Sequence, residues 1–298
     1  MRAAMMRSDF CVFILTHGRA DNVITARTLK RQGYTGKTFF VVDDQDEQAD
    51  RYRENFGAEN VLVFDKEDAW RRCDPMDNAH RMGVILYARN ACFDLARKVG
   101  VKYFLELDDD YKQFCFRWRN GEKLDWRDMD DLDSVFSAMV EFLIATNADM
   151  VAMAQAGDFV GGICSTAATH PVLRKAMNTF FCRTDRPVRF QGSINEDVSM
   201  YALAGLRGRL VLTLTSVMIV QMVTQTNAVG MTGTYLDGGT YLKSFYSVIA
   251  APSCVRISML HGGKKDTAQH WRIHHHVKWE NCAAKIISAR WRKGSGGR

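Results

Sequence analysis

The sequence is poor in the features that mark secreted, membrane-spanning or disordered proteins. It has only four prolines in 298 residues and no low-complexity block, so a disordered linker is not expected. The longest apolar-leaning run, residues 210–223, is too short and too often interrupted by polar side chains to cross a bilayer. The apolar segment 10–15 is shorter than the apolar region of a signal peptide. These absences predict a cytoplasmic protein without a membrane segment.

The cysteines also lack a pattern. Eight of them are spread along the chain without a Cys-x-x-Cys pair, and several, such as Cys11 and Cys92, lie within apolar segments. This is typical of reduced, buried thiols, and it favours neither a disulfide framework nor a zinc ribbon. The net charge of +6 is compatible with a polyanionic partner but does not identify one.

Strand-like and helix-like segments alternate along the first half. The apolar patterns predict strands at 10–15, 37–42, 61–64 and 102–107, separated by helices at 22–30, 45–55 and 78–98. The second half changes character, with a helix at 133–146, a strand at 149–153, hairpins at 180–190, a helix at 196–203 and extended chain at 210–222. We therefore predict an α/β fold with a mostly parallel sheet flanked by helices, followed by a mixed α+β half.

The most informative motif is an apolar strand that ends in three consecutive carboxylates, Asp108, Asp109 and Asp110. Like charges this close repel one another unless a cation lies among them. Carboxylate oxygens are the ligands that Mg²⁺ and Mn²⁺ prefer, and open α/β sheets bind ligands at the ends of their strands. The motif predicts a divalent-metal site, and a solvated acidic turn is the alternative.

Two other strand ends of the first half carry polar groups, Thr16 to Arg19 and Asp43-Asp44. In a doubly wound sheet these ends converge on one edge with the three aspartates. Asp43 or Asp44 could bind a nucleobase or ribose, and Arg19 could neutralise phosphates together with Arg89. An ion pair between Arg89 and the aspartate cluster is equally compatible with the sequence.

A second pair of carboxylates, Glu196 and Asp197, follows Asn195 at the start of a predicted helix. One of them could act as a general base toward an acceptor hydroxyl, although carboxylates in a first turn also serve as helix caps. Arg189 lies in the polar loop before them. Gly161 and Gly162 could let the backbone approach a sugar closely, and a plain turn explains them equally well.

The C-terminal part is rich in histidine and in basic residues mixed with aromatic ones. One imidazole could complete the metal site, whereas zinc binding by the histidines alone lacks a suitable spacing. The segment Arg117-Trp118-Arg119 mixes cations with an aromatic ring, as nucleic-acid-binding surfaces do. Half-buried surface rings beside flexible cations are the alternative.

The ordered set of motifs resembles nucleotide-sugar glycosyltransferases of the GT-A fold. It consists of Thr16-His17-Gly18-Arg19, Tyr87-Ala88-Arg89-Asn90, Asp108-Asp109-Asp110, Gly161-Gly162 and Asn195-Glu196-Asp197. The string from His270 to Asn281, with Lys285-Ile286-Ile287 after it, is similar to the TET-associated glycosyltransferases of phages. Members of that family are implied to glycosylate hydroxymethylated pyrimidines in DNA.

This resemblance implies a role for each matching position. Asp108 and Asp110 would bind Mn²⁺ or Mg²⁺, with His276 or His261 as a further ligand. A UDP-sugar such as UDP-glucose would be held by Thr16, Arg19, Asp43, Asp44, Arg89, Asp108, Asp109, Gly161 and Gly162. Asp197, with Glu196 beside it, would be the catalytic carboxylate. DNA carrying 5-hydroxymethylcytosine would contact Arg117, Trp118, Arg119, Arg189, Lys264 and Lys265.

We expect one glycosyltransferase domain over 1–298, with a nucleotide-sugar half at 1–110, an acceptor half at 111–289 and a basic tail at 290–298. A GT-A enzyme acting on a polysaccharide or protein is the main alternative. A nucleotidyltransferase also uses a carboxylate-bound cation, but it normally has a glycine-rich, lysine-containing first loop that Thr16 to Arg19 does not provide. A DNA-binding module with a degenerate site is a non-enzymatic alternative.

Overall fold

The computed structural model describes residues 7–222, 242–261 and 271–282; the side chains of 260, 261, 271 and 272 are not described. Twelve strands lie within these ranges: β1 Phe10–Leu15, β2 Thr38–Asp43, β3 Val61–Phe64, β4 Tyr103–Asp108, β5 Tyr111–Asn120, β6 Lys123–Asp128, β7 Met150–Gln155, β8 Val172–Leu173, β9 Phe180–Arg183, β10 Val211–Gln221, β11 Val255–His261 and β12 Trp271–Val277.

Nine α-helices accompany the strands in the described ranges: α1 Ile24–Arg31, α2 Ala49–Phe56, α3 Lys66–Arg72, α4 Leu86–Lys98, α5 Leu132–Ala145, α6 Thr166–Thr169, α7 Glu196–Leu206, α8 at 242–250 and α9 Trp279–Cys282. None of these helices is long and apolar enough to cross a membrane. All eight cysteines are free thiols, as the sequence predicted.

The central sheet has the strand order β3-β2-β1-β4-β9-β7-β10-β5-β6, and β8 pairs with β10. Its first four strands are parallel, and so are β7 and β10. The remaining pairs are antiparallel. Strand β9 lies between β4 and β7 and is antiparallel to both, and the β5–β6 hairpin, in which β5 is antiparallel to β10, forms the far edge of the sheet. The predicted α/β class, with a parallel first half and a mixed second half, is confirmed.

Strand β1 shows why the sheet is buried on both faces. All six of its residues are buried, and alternate side chains point to opposite faces of a strand. Cys11, Phe13 and Leu15 belong to the apolar cluster on one face, whereas its other three residues belong to the cluster on the opposite face. Helices therefore cover both sides of the strand, as its continuous apolar sequence predicted.

Two element predictions were wrong. The helix expected over 78–98 begins only at Leu86. The chain before it forms a loop, in which Met76 and His80 have positive φ angles that a helix does not allow. The hairpins expected over 180–190 are absent from this described segment: only β9 is extended, and it is inserted between β4 and β7. The loop 184–195 then leads to α7.

The carboxyl ends of β1, β2 and β4 lie at one edge of the sheet because these strands are parallel neighbours. In register, Leu15 at the end of β1 is the partner of Asp108 at the end of β4. The three polar strand ends of the first half are therefore adjacent, as the sequence predicted.

Candidate active site

The backbone of the aspartate cluster is fixed by Thr25 at the start of α1. The buried Thr25 hydroxyl donates to the Asp108 carbonyl oxygen at 2.6 Å and accepts the Tyr111 amide hydrogen at 2.9 Å. The Thr25 amide in turn donates to the Asp109 carbonyl oxygen at 3.0 Å. The turn that carries the three carboxylates is therefore held at both ends by one side chain.

Asp109 is bound by the two polar residues predicted at the end of β1. Thr16 Oγ1 donates to Asp109 Oδ2 at 2.7 Å, and Arg19 Nη1 donates to Asp109 Oδ1 at 2.7 Å. The Tyr52 hydroxyl accepts the Arg19 amide hydrogen at 2.8 Å and lies 2.9 Å from the Thr16 hydroxyl. Since Thr16 donates its own hydrogen to Asp109, Tyr52 donates to Thr16, which completes a buried chain of hydrogen bonds.

Asp110 has a different environment from its neighbour. Burial, together with the negative charges of Asp108 and Asp109, raises the pKa of Asp110 to about 7. Burial also raises the pKa of Asp109, although Arg19 and Thr16 act against it. The cluster therefore carries a negative charge that the surrounding side chains leave incompletely neutralised, which is the electrostatic condition for cation binding.

At the end of β2, Asp43 is the centre of a second polar cluster. His17 Nδ1 lies 2.8 Å from Asp43 Oδ2, and Lys66 Nζ lies 3.1 Å from Asp43 Oδ1. Burial opposes ionisation of Asp43, but His17 and Lys66 together lower its pKa. The hydrogen bond to Asp43 in turn raises the pKa of His17. Asp44 is exposed, and its side chain accepts the Lys66 amide hydrogen at 2.9 Å.

Arg89 joins the two carboxylate motifs. Its guanidinium donates from Nε to Glu196 Oε1 at 3.0 Å and from Nη2 to Asp108 Oδ1 at 3.0 Å. The side chain is 2% exposed, and its Cζ lies 4.7 Å from the ring centre of Phe180 and 5.8 Å from that of Phe190. Of the two arrangements that the sequence allowed for Arg89, the structure has the ion pair with carboxylates.

A third carboxylate, Glu106, faces the same guanidinium from inside β4. It is fully buried, and its Oε2 lies 3.8 Å from Arg89 Nη1, which is too long for a hydrogen bond. Neither Glu106 oxygen nor Arg89 Nη1 has a hydrogen-bond partner in the part of the chain that the structure describes. Burial raises the pKa of Glu106 well above its ordinary value, even though Arg89 is close.

Glu196 and Asp197 form the first turn of α7 and are both buried. Asp197 Oδ1 accepts the Val198 amide hydrogen at 2.7 Å. Burial and the neighbouring charge of Glu196 raise the pKa of Asp197 to about 7. A carboxylate that titrates near neutral pH is suited to accept a proton in catalysis.

Asn195 orients a histidine beside this turn. Its side-chain nitrogen lies 3.1 Å from His275 Nδ1 and donates to Ser247 Oγ at 2.6 Å. The metal-ligand candidate His276 follows His275 in β12, so its side chain points to the opposite face of the strand, where it is exposed. The side chain of the other candidate, His261, lies outside the described residues.

The remaining candidates lie in three other segments of the chain or outside the described ranges. Gly161 and Gly162 are exposed and have φ angles of 100° and 61°. Arg117, Trp118 and Arg119 lie in β5; Trp118 is seven residues from Tyr111, which corresponds to about 24 Å along an extended strand. Arg189 is exposed in the loop before α7. Lys264 and Lys265 lie outside the described residues.

Several residues that organise the site were given no role in it by the sequence reasoning: His17, Thr25, Tyr52, Lys66, Glu106 and His275. Of these, His17 and His275 lie within motifs that were quoted. Glu106 had a usable signal, since it lies two residues before Asp108 in a strand and therefore on the same face. Tyr52 and Lys66 belong to helices with no recognisable motif, and only the fold brings them to the strand ends.

The structure is thus an α/β sheet with carboxylates at the end of β4, linked by the buried Arg89 to a second carboxylate pair, which is a candidate ligand site at the strand ends. The sequence profile of the TET-Associated Glycosyltransferase family matches residues 10–230, which is 221 of the 298 residues. The chain belongs to this family. The recognition made from the motifs and the prediction of a glycosyltransferase are confirmed. No curated protein matches the chain.

Solved structures with a similar fold are distant in sequence. TarS from S. aureus in complex with UDP-GlcNAc is 13% identical, with a TM-score of 0.43 over 72% of this chain and 59% of that chain. The mannosyltransferase PcManGT from Pyrobaculum calidifontis, in complex with GDP-Man and Mn²⁺, is 14% identical, with a TM-score of 0.45 over 74% and 58%. Glucosyl-3-phosphoglycerate synthase from Mycobacterium tuberculosis, in complex with Mg²⁺ and UDP, is 9% identical, with a TM-score of 0.44 over 90% and 87%. This chain thus spans less than two thirds of the first two proteins.

Proposed function

We propose that the protein transfers a sugar from a UDP-sugar, such as UDP-glucose, to the hydroxymethyl group of 5-hydroxymethylcytosine in DNA, with Mn²⁺ or Mg²⁺ as cofactor. The observation that carries the proposal is the pair of carboxylate motifs held together by Arg89: Asp108 of the first motif and Glu196 of the second each lie 3.0 Å from its guanidinium. A donor-binding motif and an acceptor-facing motif are thus parts of one site.

The residues present fit a divalent cation shared with the donor. Asp108 and Asp110 would hold it. The pKa of Asp110 is raised by burial and also by the negative charges of Asp108 and Asp109, and a bound cation would offset those charges. Among the described residues, no three His, Cys, Asp or Glu side chains form a complete ligand set. In Mg²⁺-type sites one or two carboxylates are commonly joined by phosphate oxygens of the substrate.

The nucleotide side of the donor would lie over the ends of β1 and β2. Thr16 and Arg19 are anchored to Asp109, and Asp43 with its partner His17 lies at the adjacent strand end. These side chains supply hydrogen-bond donors and acceptors for a base and ribose. Asp44 and the glycines Gly161 and Gly162 are exposed and are proposed as outer contacts of the same substrate.

Asp197 would accept the proton of the attacking hydroxyl, with Glu196 beside it. The pKa of Asp197, about 7, leaves a substantial fraction of this carboxylate ionised at neutral pH and makes it a useful base. When bound, the cation would neutralise charge that develops on the departing diphosphate. Direct attack assisted by Asp197 inverts the anomeric configuration, whereas retention would require that Asp197 only position the acceptor.

DNA as the acceptor is supported by the family to which the chain belongs and by the excess of basic residues. Arg189 is exposed in the loop that leads into α7 and is proposed to contact the DNA acceptor. Arg117, Trp118 and Arg119 are proposed to contact DNA away from the reacting base, since β5 carries them from the aspartate cluster toward the other edge of the sheet.

The test uses purified protein, Mn²⁺ and radiolabelled UDP-glucose with matched DNA duplexes that contain either cytosine or 5-hydroxymethylcytosine. The expected result is label only on the hydroxymethylated duplex, together with release of UDP. Label on both duplexes or on neither would contradict the acceptor assignment. Release of pyrophosphate instead of UDP would indicate nucleotidyl transfer. Asp197→Asn is expected to abolish transfer, with Asp50→Asn, which alters an exposed carboxylate of α2, as the control.

A further inference from the structure

Three hydrogen-bonded amide side chains lie at the edge of the sheet that carries the aspartates. Asn178 Nδ2 donates one hydrogen to Gln221 Oε1 at 2.6 Å and the other to Gln155 Oε1 at 3.3 Å. Gln155 ends β7 and Gln221 ends β10. These two strands are parallel, and they run in the direction of β4 because β9 is antiparallel to both β4 and β7. The three side chains, called the amide cluster below, are therefore at the carboxyl edge of the parallel strands.

The amide cluster is next to Asp110. Gln221 is the register partner of Tyr111, the residue that follows Asp110, and opposed residues of antiparallel strands have Cα atoms about 5 Å apart. The Met222 amide donates to the Asp110 carbonyl oxygen at 3.2 Å. The Tyr111 hydroxyl donates to the Asn178 carbonyl oxygen. These contacts hold the amide cluster beside a proposed ligand of the cation.

An ion pair continues the amide cluster toward α7. The Gln155 amide donates to Asp158 Oδ2 at 2.9 Å, and the Asp158 carboxylate is paired with Lys175. Burial lowers the pKa of His275 to about 3, and the positive charge of Lys175 contributes to this shift. His275 is the histidine that lies beside the first turn of α7 through its contact with Asn195. The amide cluster is therefore connected both to the aspartate cluster and to the first turn of α7.

Each glutamine of the amide cluster keeps a donor group that the protein does not use. Asn178 occupies the Oε1 atoms of Gln155 and Gln221, and neither Nε2 group has a hydrogen-bond partner among the described residues. All three side chains are partly exposed, so a ligand can reach them. The two hydrogens of a side-chain amide nitrogen match oxygen acceptors such as hydroxyl groups. Because Asn178 fixes the orientation of both glutamines, these donors are pre-organised for a ligand.

We propose that the amide cluster binds hydroxyl groups of the sugar that is transferred, and that it thereby selects among UDP-sugars. This inference rests on the proposed sugar transfer and adds specificity-determining residues to it. The sugar of the donor is bonded to the diphosphate that the cation would hold, and its anomeric carbon must meet the hydroxyl that Asp197 would deprotonate. The amide cluster is connected to both of these positions. A site that donates hydrogen bonds to substrate hydroxyls discriminates strongly against substrates that lack them.

The test measures, by isothermal titration calorimetry with Mn²⁺ and without DNA, the affinity for UDP and for UDP-glucose, UDP-galactose and UDP-N-acetylglucosamine. The sugar contribution is the affinity for the tightest-binding UDP-sugar divided by the affinity for UDP. Gln221→Met keeps the side-chain length without the donor, and Asn178→Gly suits the φ angle of 62° at this position. Each variant is expected to lower the sugar contribution about fivefold and to leave UDP affinity unchanged. Gln113→Met, the same change at a glutamine of β5 that is bonded to Asp128, is the matched control.

Three outcomes would overturn the inference. The first is a sugar contribution that is the same in the wild type, Gln221→Met and Asn178→Gly. The second is a wild type that binds UDP and all three UDP-sugars equally. The third is a parallel loss of UDP and UDP-sugar affinity in the variants, which would show a general effect on this edge of the sheet. Because DNA is absent from the measurement, the inference stands or fails separately from the labelling of hydroxymethylated DNA that tests the proposed function.

Discussion

The guanidinium of Arg89 lies 3.0 Å from Glu196, a residue 107 positions later in the chain. The same group holds Asp108 at 3.0 Å, so one buried side chain connects the end of β4 with the start of α7. Any shift of Arg89 must move both carboxylate motifs. The two halves of the site are coupled through this contact.

Replacement of Arg89 by lysine is expected to damage both folding and activity. A lysine ammonium lacks the planar fork that reaches two carboxylates at once, so at least one buried carboxylate would lose its partner. We expect Arg89→Lys to lower the free energy of unfolding by about 3 kcal/mol. We also expect it to lower the rate of glucosyl transfer by at least about 100-fold. Urea denaturation and initial rates check this, with Arg71→Lys as an exposed control. Full activity in Arg89→Lys would contradict the coupling.

Glu106 is expected to tolerate loss of its charge. Burial raises its pKa well above the ordinary value, which favours the protonated acid, and glutamine has nearly the same shape as that form. We expect Glu106→Gln to change the free energy of unfolding by less than about 1 kcal/mol. Glu106→Ala should cost about 2 to 3 kcal/mol because it leaves a cavity. A large loss in Glu106→Gln would show that Arg89 requires this charge.

The three aspartates are expected to differ in metal binding. Asp108→Asn and Asp110→Asn each remove a proposed ligand and should abolish Mn²⁺ binding in isothermal titration calorimetry with UDP present. The Asp109 carboxylate already accepts hydrogen bonds from Thr16 and Arg19. Asp109→Asn should therefore retain Mn²⁺ binding, but it should weaken UDP binding because it loosens these two proposed nucleotide contacts. Equal effects of all three substitutions on Mn²⁺ affinity would argue against this division.

Metal affinity and transfer rate should both fall as the pH decreases through about 7. The pKa of Asp110 and that of Asp197 are each raised to about 7, so both carboxylates are protonated on the acid side and ionised on the basic side. A proton on Asp110 competes with the cation, and a proton on Asp197 removes the base. We expect Mn²⁺ to bind about tenfold more weakly at pH 6 than at pH 8. In Asp197→Asn the pH dependence of Mn²⁺ binding should remain, because Asp110 is unchanged in that variant.

Asp43 should contribute to stability as well as to donor binding. Lys66 Nζ lies 3.1 Å from Asp43 Oδ1, and both side chains are less than a tenth exposed. Asp43→Asn would leave a buried ammonium without its counter-charge, which is expected to cost about 3 kcal/mol. The double variant Asp43→Asn/Lys66→Met should recover part of this loss, as measured by urea denaturation. A fully stable single variant would contradict this role.

The strands near the site could be predicted closely from the sequence. The continuous apolar runs of β1 and β3 were predicted with the bounds that the structure has, because a short apolar run between polar segments is typical of a strand. The three polar strand ends were also expected to meet, since carboxyl ends of parallel strands share an edge. The structure confirms that Thr16, Arg19 and Asp109 are in contact.

The helix before β4 shows where such patterns fail. Met82 and Ile85 follow helical spacing, yet the helix begins at Leu86. The preceding loop instead receives hydrogen bonds from the segment before α7, from the Gly192 amide to the Asp74 carbonyl and from the Ser193 amide to the Pro75 carbonyl. Periodicity reports which side chains are apolar, whereas these long-range contacts decide the backbone.

The amino-acid sequence by itself determined the alternation of strands and helices, the carboxylates at the end of β4 and the family to which they point, since these depend on local patterns and short motifs. Only the tertiary structure decided that Arg89 pairs with Glu196 and that His275, not His276, faces Asn195. Each of these contacts joins residues at least 80 positions apart. Side chains so distant in sequence become neighbours only when packing fixes the path of the chain between them.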